Sequence, residues 1–227
     1  MCSVSWKFHS DGYQLGFNRD EKWHRPLSVD PNLETQHLIA GTCARDAGGG
    51  GTWLFTNEYG ITLAVMNAYP NGLIPTAGKI SRGQIPMLAA EHNTLSTLEA
   101  ALLKHSWQDH APCHVLVFAP DEMHHYAWDG LLFLPQAKAE QPFLTCSSVN
   151  CEQIRQTREA RHRLISNLPI REKLSDTQAT DPASAIYVTR EDGGTVSQTF
   201  VSVLANSIQF SVTRRNEASI EITFARK

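Results

Sequence analysis

The apolar residues of this chain indicate short extended segments, several of which follow one another along the sequence. Apolar residues at helical spacing occur only in separate stretches. From Cys2 to Phe8, apolar residues alternate strictly with polar ones, which predicts a half-buried strand over residues 2–9. Asp11-Gly12 then forms a hairpin turn. Segregated strands and helices are typical of the α+β class, in which mostly antiparallel sheets carry helices on their faces. Further strands are predicted at residues 13–18, 53–56, 61–66, 113–118, 124–128, 131–134, 143–148, 185–189, 196–204, 208–213 and 220–224.

Two stretches have the spacing of helices. Leucines three and four residues apart predict a helix from Ile85 to His105. An interruption at Asn93 and Thr94, either of which is a good N-cap, leaves open that this stretch forms two helices. A charged helix that lies on the surface is predicted from residue 152 to residue 168.

Two further stretches are predicted to be loops. Residues 26–31 are rich in proline and aspartate, and residues 48–51 are a run of four glycines. The glycine run lacks the spacing of a phosphate-binding loop. The chain has no internal repeat, low-complexity linker or charge block, so we expect a single domain over residues 1–227.

The composition excludes several classes of function. The 227 residues include 20 lysines and arginines and 23 aspartates and glutamates, which gives a net charge of -3. A chain with this charge has no electrostatic footprint for nucleic acid or an anionic membrane. No apolar run approaches the ~20 residues of a membrane span, and the first residues do not resemble a secretory signal peptide. We therefore expect a soluble, cytoplasmic protein.

The five cysteines are odd in number, widely spread and free of any Cys-x-x-Cys pair. This usage argues against a disulfide framework and against a zinc site, so we expect no metal and no cofactor. Cys43, Cys113, Cys146 and Cys151 are interpreted as small buried or half-buried side chains. Cys2 is the exception because of its position.

Cys2 opens a predicted strand almost at the terminus, where chains usually fray. Removal of the initiator methionine is favoured when the second residue is small, and it would leave Cys2 with a thiol and a free α-amine. An α-amine has a pKa of ~7.7–8.0 and can act as a base for the neighbouring thiol. The alternative is that the second residue is small for no catalytic reason.

A charged cluster, Asn-Arg-Asp-Glu at residues 18–21, ends the returning strand and so lies beside Cys2 in a tight hairpin. A cation there would lower the pKa of the thiol, and a carboxylate would hold an ammonium group. Neighbours on a strand point to opposite faces, so Arg19 and Asp20 can both face Cys2 only at a bulge or a strand end. The alternative is a solvated charge cluster.

Two asparagines follow apolar segments. Asn67 ends the segment at 63–66, and Asn150 precedes the helix predicted at 152–168. An amide at a strand end can donate hydrogen bonds to a developing oxyanion. Each residue could equally be a helix cap or an Asx-turn residue.

Taken together, these segments resemble the NRDE family, which is named for its Asn-Arg-Asp-Glu signature and includes the transport and Golgi organisation proteins. The resemblance is clear over the first third of the chain and intermittent beyond it. It rests on five ordered blocks, at residues 16–21, 50–54 (Gly-Gly-Thr-Trp-Leu), 63–67 (Leu-Ala-Val-Met-Asn), 81–83 (Ser-Arg-Gly) and 148–150 (Ser-Val-Asn).

The resemblance implies the four-layer αββα fold of the N-terminal-nucleophile hydrolases. Relatives such as conjugated bile acid hydrolase and penicillin V acylase cleave linear amide bonds with a processed N-terminal cysteine. Carried over by position, the catalytic residues are Cys2 as nucleophile, Arg19 and Asp20 as its charged partners, and Asn67 and Asn150 as oxyanion donors. The positions assigned to substrate binding are Asn18, Trp53 and Arg82.

Two departures leave alternatives open. The arginine and aspartate are three residues apart in the bile acid hydrolases but adjacent here, so either role could belong to a neighbour such as Asn18. The family's Gly-Thr-Arg block near the C-terminal strands reads Gly-Thr-Val at residues 194–196. That cation is therefore missing or supplied elsewhere, for example by Arg158.

The sequence leaves two functions open. The leading one is an amidohydrolase that acts on a small-molecule substrate through a thioester on Cys2. The rival is a non-catalytic carrier of an apolar ligand such as haem or lipid, because family members are implicated in haem handling and lipid metabolism. Neither function predicts a nucleic-acid partner or stable membrane insertion, and the sequence does not indicate an oligomeric state.

Overall fold

The structure is a computed structural model and describes residues 2–36, 38–73, 75–76 and 78–227, the side chains of residues 36 and 71 excepted. The described residues form thirteen strands in two antiparallel sheets. The strands are β1 (Cys2–His9), β2 (Gly12–Lys22), β3 (Val29–Gln36), β4 (Ile39–Arg45), β5 (Leu54–Asn57), β6 (Thr62–Asn67), β7 (Cys113–Phe118), β8 (Met123–Trp128), β9 (Phe133–Pro135), β10 (Phe143–Cys146), β11 (Gly193–Val203), β12 (Ser207–Arg214) and β13 (Ile220–Ala225).

The six-stranded sheet has the order β10-β1-β2-β11-β12-β13, and the seven-stranded sheet has the order β3-β4-β5-β6-β7-β8-β9. Three α-helices are described: α1 (Leu95–Lys104), α2 (Cys151–Leu164) and α3 (Ile170–Leu174). Short 3-10 helices lie at Pro70–Gly72, Arg82–Glu91, Trp107–Asp109 and Pro182–Ser184.

The elements stack in four layers, αββα, as the resemblance to the NRDE family implied. The inner faces of the two sheets share one apolar core, to which Val4, Phe17 and Phe118 contribute fully buried side chains. Helix α1 and the 3-10 helix at Arg82–Glu91 cover the outer face of the seven-stranded sheet. Helix α3 and the segment after α2 cover the outer face of the six-stranded sheet. Burial of each large apolar side chain contributes about 1.5–3 kcal/mol to folding.

Strand β1 is buried on both faces over residues 3–6, whereas Lys7 and His9 near its end are exposed as the alternation predicted. Ser3 and Ser5 are fully buried, because helix α2 covers the face that the alternation assigned to solvent. The Ser3 hydroxyl is hydrogen-bonded to the Thr145 hydroxyl at 2.8 Å, and the Ser5 hydroxyl to Nε2 of His162 at 2.9 Å. The first two polar residues of the alternation therefore belong to an internal hydrogen-bonded layer rather than to a solvent-exposed face.

The stretch predicted as helical from 85 to 105 is two elements, which settles the alternative that the sequence left open. The 3-10 helix at Arg82–Glu91 contains Pro86, which cannot donate a backbone hydrogen bond. Helix α1 follows, with Thr94 as its N-cap; the Thr94 hydroxyl accepts a hydrogen bond from the backbone N–H of Thr97.

The sequence missed the first two strands of the seven-stranded sheet. Strand β3 begins inside the stretch predicted as a loop at 26–31, and β4 occupies residues that had no assigned element. Strand β3 is an edge strand with exposed apolar residues such as Val29 and Leu33, so its pattern does not report a buried face. Strand β4 is short and rich in small residues, and it is mostly buried.

The strand predicted at 185–189 is wrong. Only Thr189 forms an isolated bridge there, to Gly194. Ile186 and Val188 are fully buried, so their apolar character reflects packing rather than sheet pairing. No helix of the described residues is long and apolar enough to cross a membrane.

Candidate active site

Cys2 is the first residue of β1, a strand with a neighbour on each side. It lies opposite Cys146 of β10 and opposite Arg19 of β2. Its half-buried side chain packs against the core between the sheets. Pairing on both sides explains how a strand can start at residue 2 without fraying.

A cavity of about 200 Å³ lies at this end of the six-stranded sheet. Six of the eight residues that the sequence assigned to catalysis or substrate binding line it, whereas Asn18 and Asn150 do not. The six are Cys2, Arg19, Asp20, Trp53, Asn67 and Arg82. We call this the Cys2 cavity.

Arg19 points to the same side of the sheet as Cys2, because the two residues are directly paired across strands. Its guanidinium lies over the Trp53 ring, 5.1 Å from the centroid, and donates to Oδ2 of Asp46 at 2.8 Å. Arg25 donates to the same oxygen at 2.8 Å. Burial opposes ionisation of Asp46, but the hydrogen bond from Arg25 and the charge of Arg19 hold the pKa of Asp46 below its ordinary value. Asp46 thus fixes both arginines at the cavity.

Asp20 lies one residue beyond the Cys2–Arg19 pair, where the pairing of β2 with β11 shifts register, and both charged residues line one cavity. The Thr195 hydroxyl donates to its Oδ1 at 2.7 Å. Nη1 of Arg158 lies 3.9 Å from its Oδ2, and both side chains are fully buried. Burial raises the pKa of Asp20, and the charge of Arg158 works in the opposite direction.

The cation beside Asp20 therefore comes from helix α2 and not from β11. A register shift between Thr195 and Ser197 leaves Val196, which stands where the family's block has its arginine, without a partner on β2. Arg158 also donates to the Thr145 hydroxyl at 2.9 Å and to the Ala183 carbonyl at 3.1 Å. These contacts fix the guanidinium within the helix–sheet layer.

The two asparagines assigned to the oxyanion occupy different places. Asn67 ends β6 and lines the Cys2 cavity, where its Nδ2 donates to the Tyr69 hydroxyl at 3.1 Å. Asn150 is exposed and precedes α2 in a left-handed conformation, with φ of 43° and no capping hydrogen bond from its side chain. The structure brings Asn67 to Cys2 but does not bring Asn150 there.

Asn18 forms its hydrogen bonds with the helix layer rather than with the cavity. It is fully buried, its Nδ2 donates to the carbonyls of Leu174 and Ile186 at 2.7 and 3.0 Å, and its Oδ1 accepts from Gln198 at 3.0 Å. These bonds join β2 to α3 and to the segment before β11. The position assigned to substrate binding therefore holds a residue whose amide is used internally.

Trp53 and Arg82 also line the Cys2 cavity. The Trp53 indole donates to the Thr199 hydroxyl at 3.0 Å, and Arg82 donates to the Pro112 carbonyl at 2.9 Å. The backbone of Gly51 packs closely against Gly83, the residue after Arg82: a Cβ on Gly51 would lie 2.7 Å from the carbonyl carbon of Gly83. This backbone contact keeps Arg82 near the cavity. Glycine at residue 51 lets the loop and the 3-10 helix approach each other.

Sequence reasoning missed Cys146, Asp46 and Arg25. The thiols of Cys2 and Cys146 are hydrogen-bonded; this bond and burial raise the pKa of Cys2 well above its ordinary value. The same bond lowers the pKa of Cys146 to about 7. No pattern near Cys146 could reveal this contact, because it depends on pairing of strands more than 140 residues apart.

Solved structures that match this fold include a bile acid hydrolase and an acid amidase. Two variants of the conjugated bile acid hydrolase from Clostridium perfringens match all of this chain and 97% of their own, with TM-scores of 0.53 and 0.55 at 10% and 9% identity. The Caenorhabditis elegans N-acylethanolamine-hydrolyzing acid amidase ortholog matches over 90% of this chain and 93% of its own, with a TM-score of 0.53 and 11% identity. The chain therefore shares the fold of these structures, a sandwich of two antiparallel sheets.

The sequence places the chain within a particular family. The profile of the family described as Transport and Golgi organisation 2 matches residues 1–127, and the chain belongs to that family. This confirms the resemblance found in the sequence. A search of curated proteins finds no match.

Proposed function

We propose that this protein is an amidohydrolase that cleaves a linear amide through a thioester on Cys2. The observation that supports the proposal best is the position of Cys2: it begins an interior strand, lines a cavity and is paired with Arg19. Proteins of the same fold include a bile acid hydrolase and an acid amidase that hydrolyses N-acylethanolamines.

In this mechanism, removal of Met1 exposes the α-amine of Cys2. The amine takes the thiol proton, and the thiolate attacks the amide carbonyl carbon to form a tetrahedral intermediate. The carbon–nitrogen bond then breaks as the α-ammonium gives its proton to the leaving nitrogen. Water, deprotonated by the same amine, hydrolyses the thioester and regenerates the thiol.

The surrounding residues have distinct proposed roles. The carboxylate of Asp20, with Arg158 behind it, holds the ammonium group that forms on Cys2. The amide of Asn67 rotates from Tyr69 to donate to the oxyanion. Arg19 fixes the cavity wall through Asp46 and Trp53.

The same cavity would select the substrate through Trp53 and Arg82. The Trp53 ring supplies apolar surface, and Arg82 supplies a cation for a polar or anionic group next to the scissile bond. A cavity of about 200 Å³ is smaller than the roughly 300–1,000 Å³ of typical ligand pockets. We therefore expect it to hold only the part of the substrate nearest the amide.

The test is amine release from a panel of N-acyl amides by the protein without its initiator methionine. Cys2→Ala is expected to abolish turnover. Cys151→Ser is the matched control, because Cys151 is half-buried at the start of α2 and does not line the Cys2 cavity. Full turnover by Cys2→Ala would refute the proposal.

A second cavity favours the alternative function, binding of an apolar ligand. It has a volume of about 890 Å³ and lies toward the other end of β1, at the edges of the two sheets. Trp6 and Phe8 line it from β1, and Met123 and Tyr126 line it from β8. The volume and the aromatic lining fit a drug-sized or lipid-like molecule.

Binding of oleic acid tests this alternative. It is measured by the displacement of a fluorescent naphthalene sulfonate from the protein. Ala139→Trp fills the cavity and is expected to weaken binding at least tenfold. Ala137→Trp is the control, since Ala137 is exposed and does not line the cavity. Equal binding by the two variants would exclude this cavity as the site.

A further inference from the structure

Cys146 is a nucleophilic side chain that the proposed mechanism does not use. It is the last residue of β10, is 4% exposed and pairs directly with Cys2 across the strands. Both cysteines are free thiols, and they are hydrogen-bonded to each other. The catalytic candidate therefore has a second sulfur beside it.

The backbone spacing suits a bond between these sulfurs. Directly opposed residues of antiparallel strands have Cα atoms about 4.5–5.5 Å apart. Disulfides span Cα separations of about 4.4–6.8 Å. The two strands need not move for the sulfurs to join.

The other cysteines lie in different surroundings. Cys43 and Cys113 belong to strands of the seven-stranded sheet and face its helix-covered core. Burial raises the pKa of Cys43 to about 11 and that of Cys113 to about 12, so both stay protonated and unreactive at neutral pH. Cys146 is more acidic because it accepts the hydrogen bond from Cys2.

Small oxidants can reach the pair through the Cys2 cavity. Cys2 lines this cavity, whose volume of about 200 Å³ far exceeds the ~30 Å³ occupied by one water molecule. Hydrogen peroxide is only slightly larger than water. Cys146 lies behind Cys2, so the sulfur first exposed to an oxidant has its partner within reach.

We propose that Cys2 and Cys146 are a site of reversible oxidative modification, at which peroxide joins the two sulfurs in a disulfide. Peroxide oxidises one thiol to a sulfenic acid and is reduced to water. The other sulfur then attacks the sulfenic sulfur, forms the S–S bond and releases a second water. Overall, two thiols lose two electrons and two protons to one peroxide.

The consequence for activity rests on the proposed function of Cys2 as nucleophile. A disulfide removes the thiolate that would attack the amide, so the oxidised protein is inactive. It also protects Cys2 from irreversible oxidation to the sulfinic acid. A thiol reductant restores both cysteines.

The bond itself can be measured without any substrate. The folded protein is treated with hydrogen peroxide, alkylated, digested with trypsin without reduction, and analysed by mass spectrometry. Cleavage after Lys7, after Lys138 and after Arg155 gives a Cys2 peptide and a peptide of residues 139–155 that holds both Cys146 and Cys151. The expected product is these two peptides linked, with the link lost on addition of dithiothreitol.

Two variants identify the partner. Cys151→Ser is expected to keep the linked peptides, and Cys146→Ser is expected to abolish them. Absence of the link in the wild-type protein, or its persistence in Cys146→Ser, would overturn the proposal. The linked peptides would stand even if the reduced protein cleaved no amide, so failure of the proposed function is distinguishable from failure of this one.

Discussion

Arg158 of helix α2 places Nη1 3.9 Å from Oδ2 of Asp20 on β2, and both side chains are fully buried. This pair provides a cation near the Cys2 cavity although β11 has no arginine at the corresponding place. A buried charge without its partner is strongly destabilising. The pair therefore ties the helix layer to the strand that carries the candidate site.

Replacing Arg158 leaves Asp20 buried with less compensation. We expect Arg158→Met to lower the free energy of unfolding by about 3–5 kcal/mol, measured by urea denaturation. Arg155→Met is the matched control on the same helix, because Arg155 is 39% exposed and its ion pairs are worth at most about 1 kcal/mol. Equal losses of unfolding free energy in the two variants would show that the contact with Asp20 stabilises the fold no more than an exposed ion pair does.

His162 gives a pH dependence of stability with a defined sign. Burial and the charge of Lys173 lower the pKa of His162 to about 4, below the ~6.5 expected in the unfolded chain. As the pH falls below 6.5, His162 binds a proton in the unfolded state but not in the folded state. The free energy of unfolding therefore falls until about pH 4. The loss due to this one group is at most about 1.4 kcal/mol per pH unit.

Urea denaturation between pH 7.5 and 4.5 measures this slope. His162→Gln, which does not titrate and can still bond to the Ser5 hydroxyl, is expected to flatten it. His24→Gln, at an exposed position, is the control. An unchanged slope in His162→Gln would contradict the assignment to His162.

Variants of Asn67 and Asn150 test whether the oxyanion donor follows from the geometry of this chain or from the family position. Asn67→Ala should lower kcat by about 10²–10³-fold, because one oxyanion donor is lost. Asn150→Gly should leave kcat unchanged, since Asn150 is exposed, lies outside the cavity and has a positive φ that glycine tolerates. The reverse pattern of kcat values would place the oxyanion near Asn150.

Asn18 is expected to act on stability rather than on substrate binding. Asn18→Ala leaves the buried carbonyl of Ile186 without its donor, and the Leu174 carbonyl keeps only Gln198, at a cost of about 1–3 kcal/mol per unsatisfied group. Thermal unfolding should shift to lower temperature while KM for any amide substrate stays the same. A raised KM with unchanged stability would support the substrate role that the family position suggests.

Local patterns predicted much of the site. The hairpin between β1 and β2 turns at Ser10-Asp11, one residue before the predicted Asp11-Gly12 turn, and this register pairs Cys2 with Arg19. The position of the Asn-Arg-Asp-Glu cluster at 18–21 beside Cys2 is therefore a consequence of local sequence alone. The layered α+β architecture likewise follows from the segregation of strands and helices.

Long-range pairing explains what the sequence did not predict. Cys146 reaches Cys2 only because β10 pairs with β1, and no local pattern specifies that choice. Asp46 follows β4, a strand of small residues without a readable alternation. The sequence makes Arg158 on α2 one candidate for the missing cation, but only the packing of the helix shows that it faces Asp20.

The central claim is that Cys2 acts through its own free α-amine, and the intact mass of the purified, untagged protein tests it most directly. The account predicts a mass that lacks one methionine residue, with Cys2 as the new N-terminus. A full-length mass that includes Met1 would contradict it, because the amine that serves as the base would then be bound in a peptide.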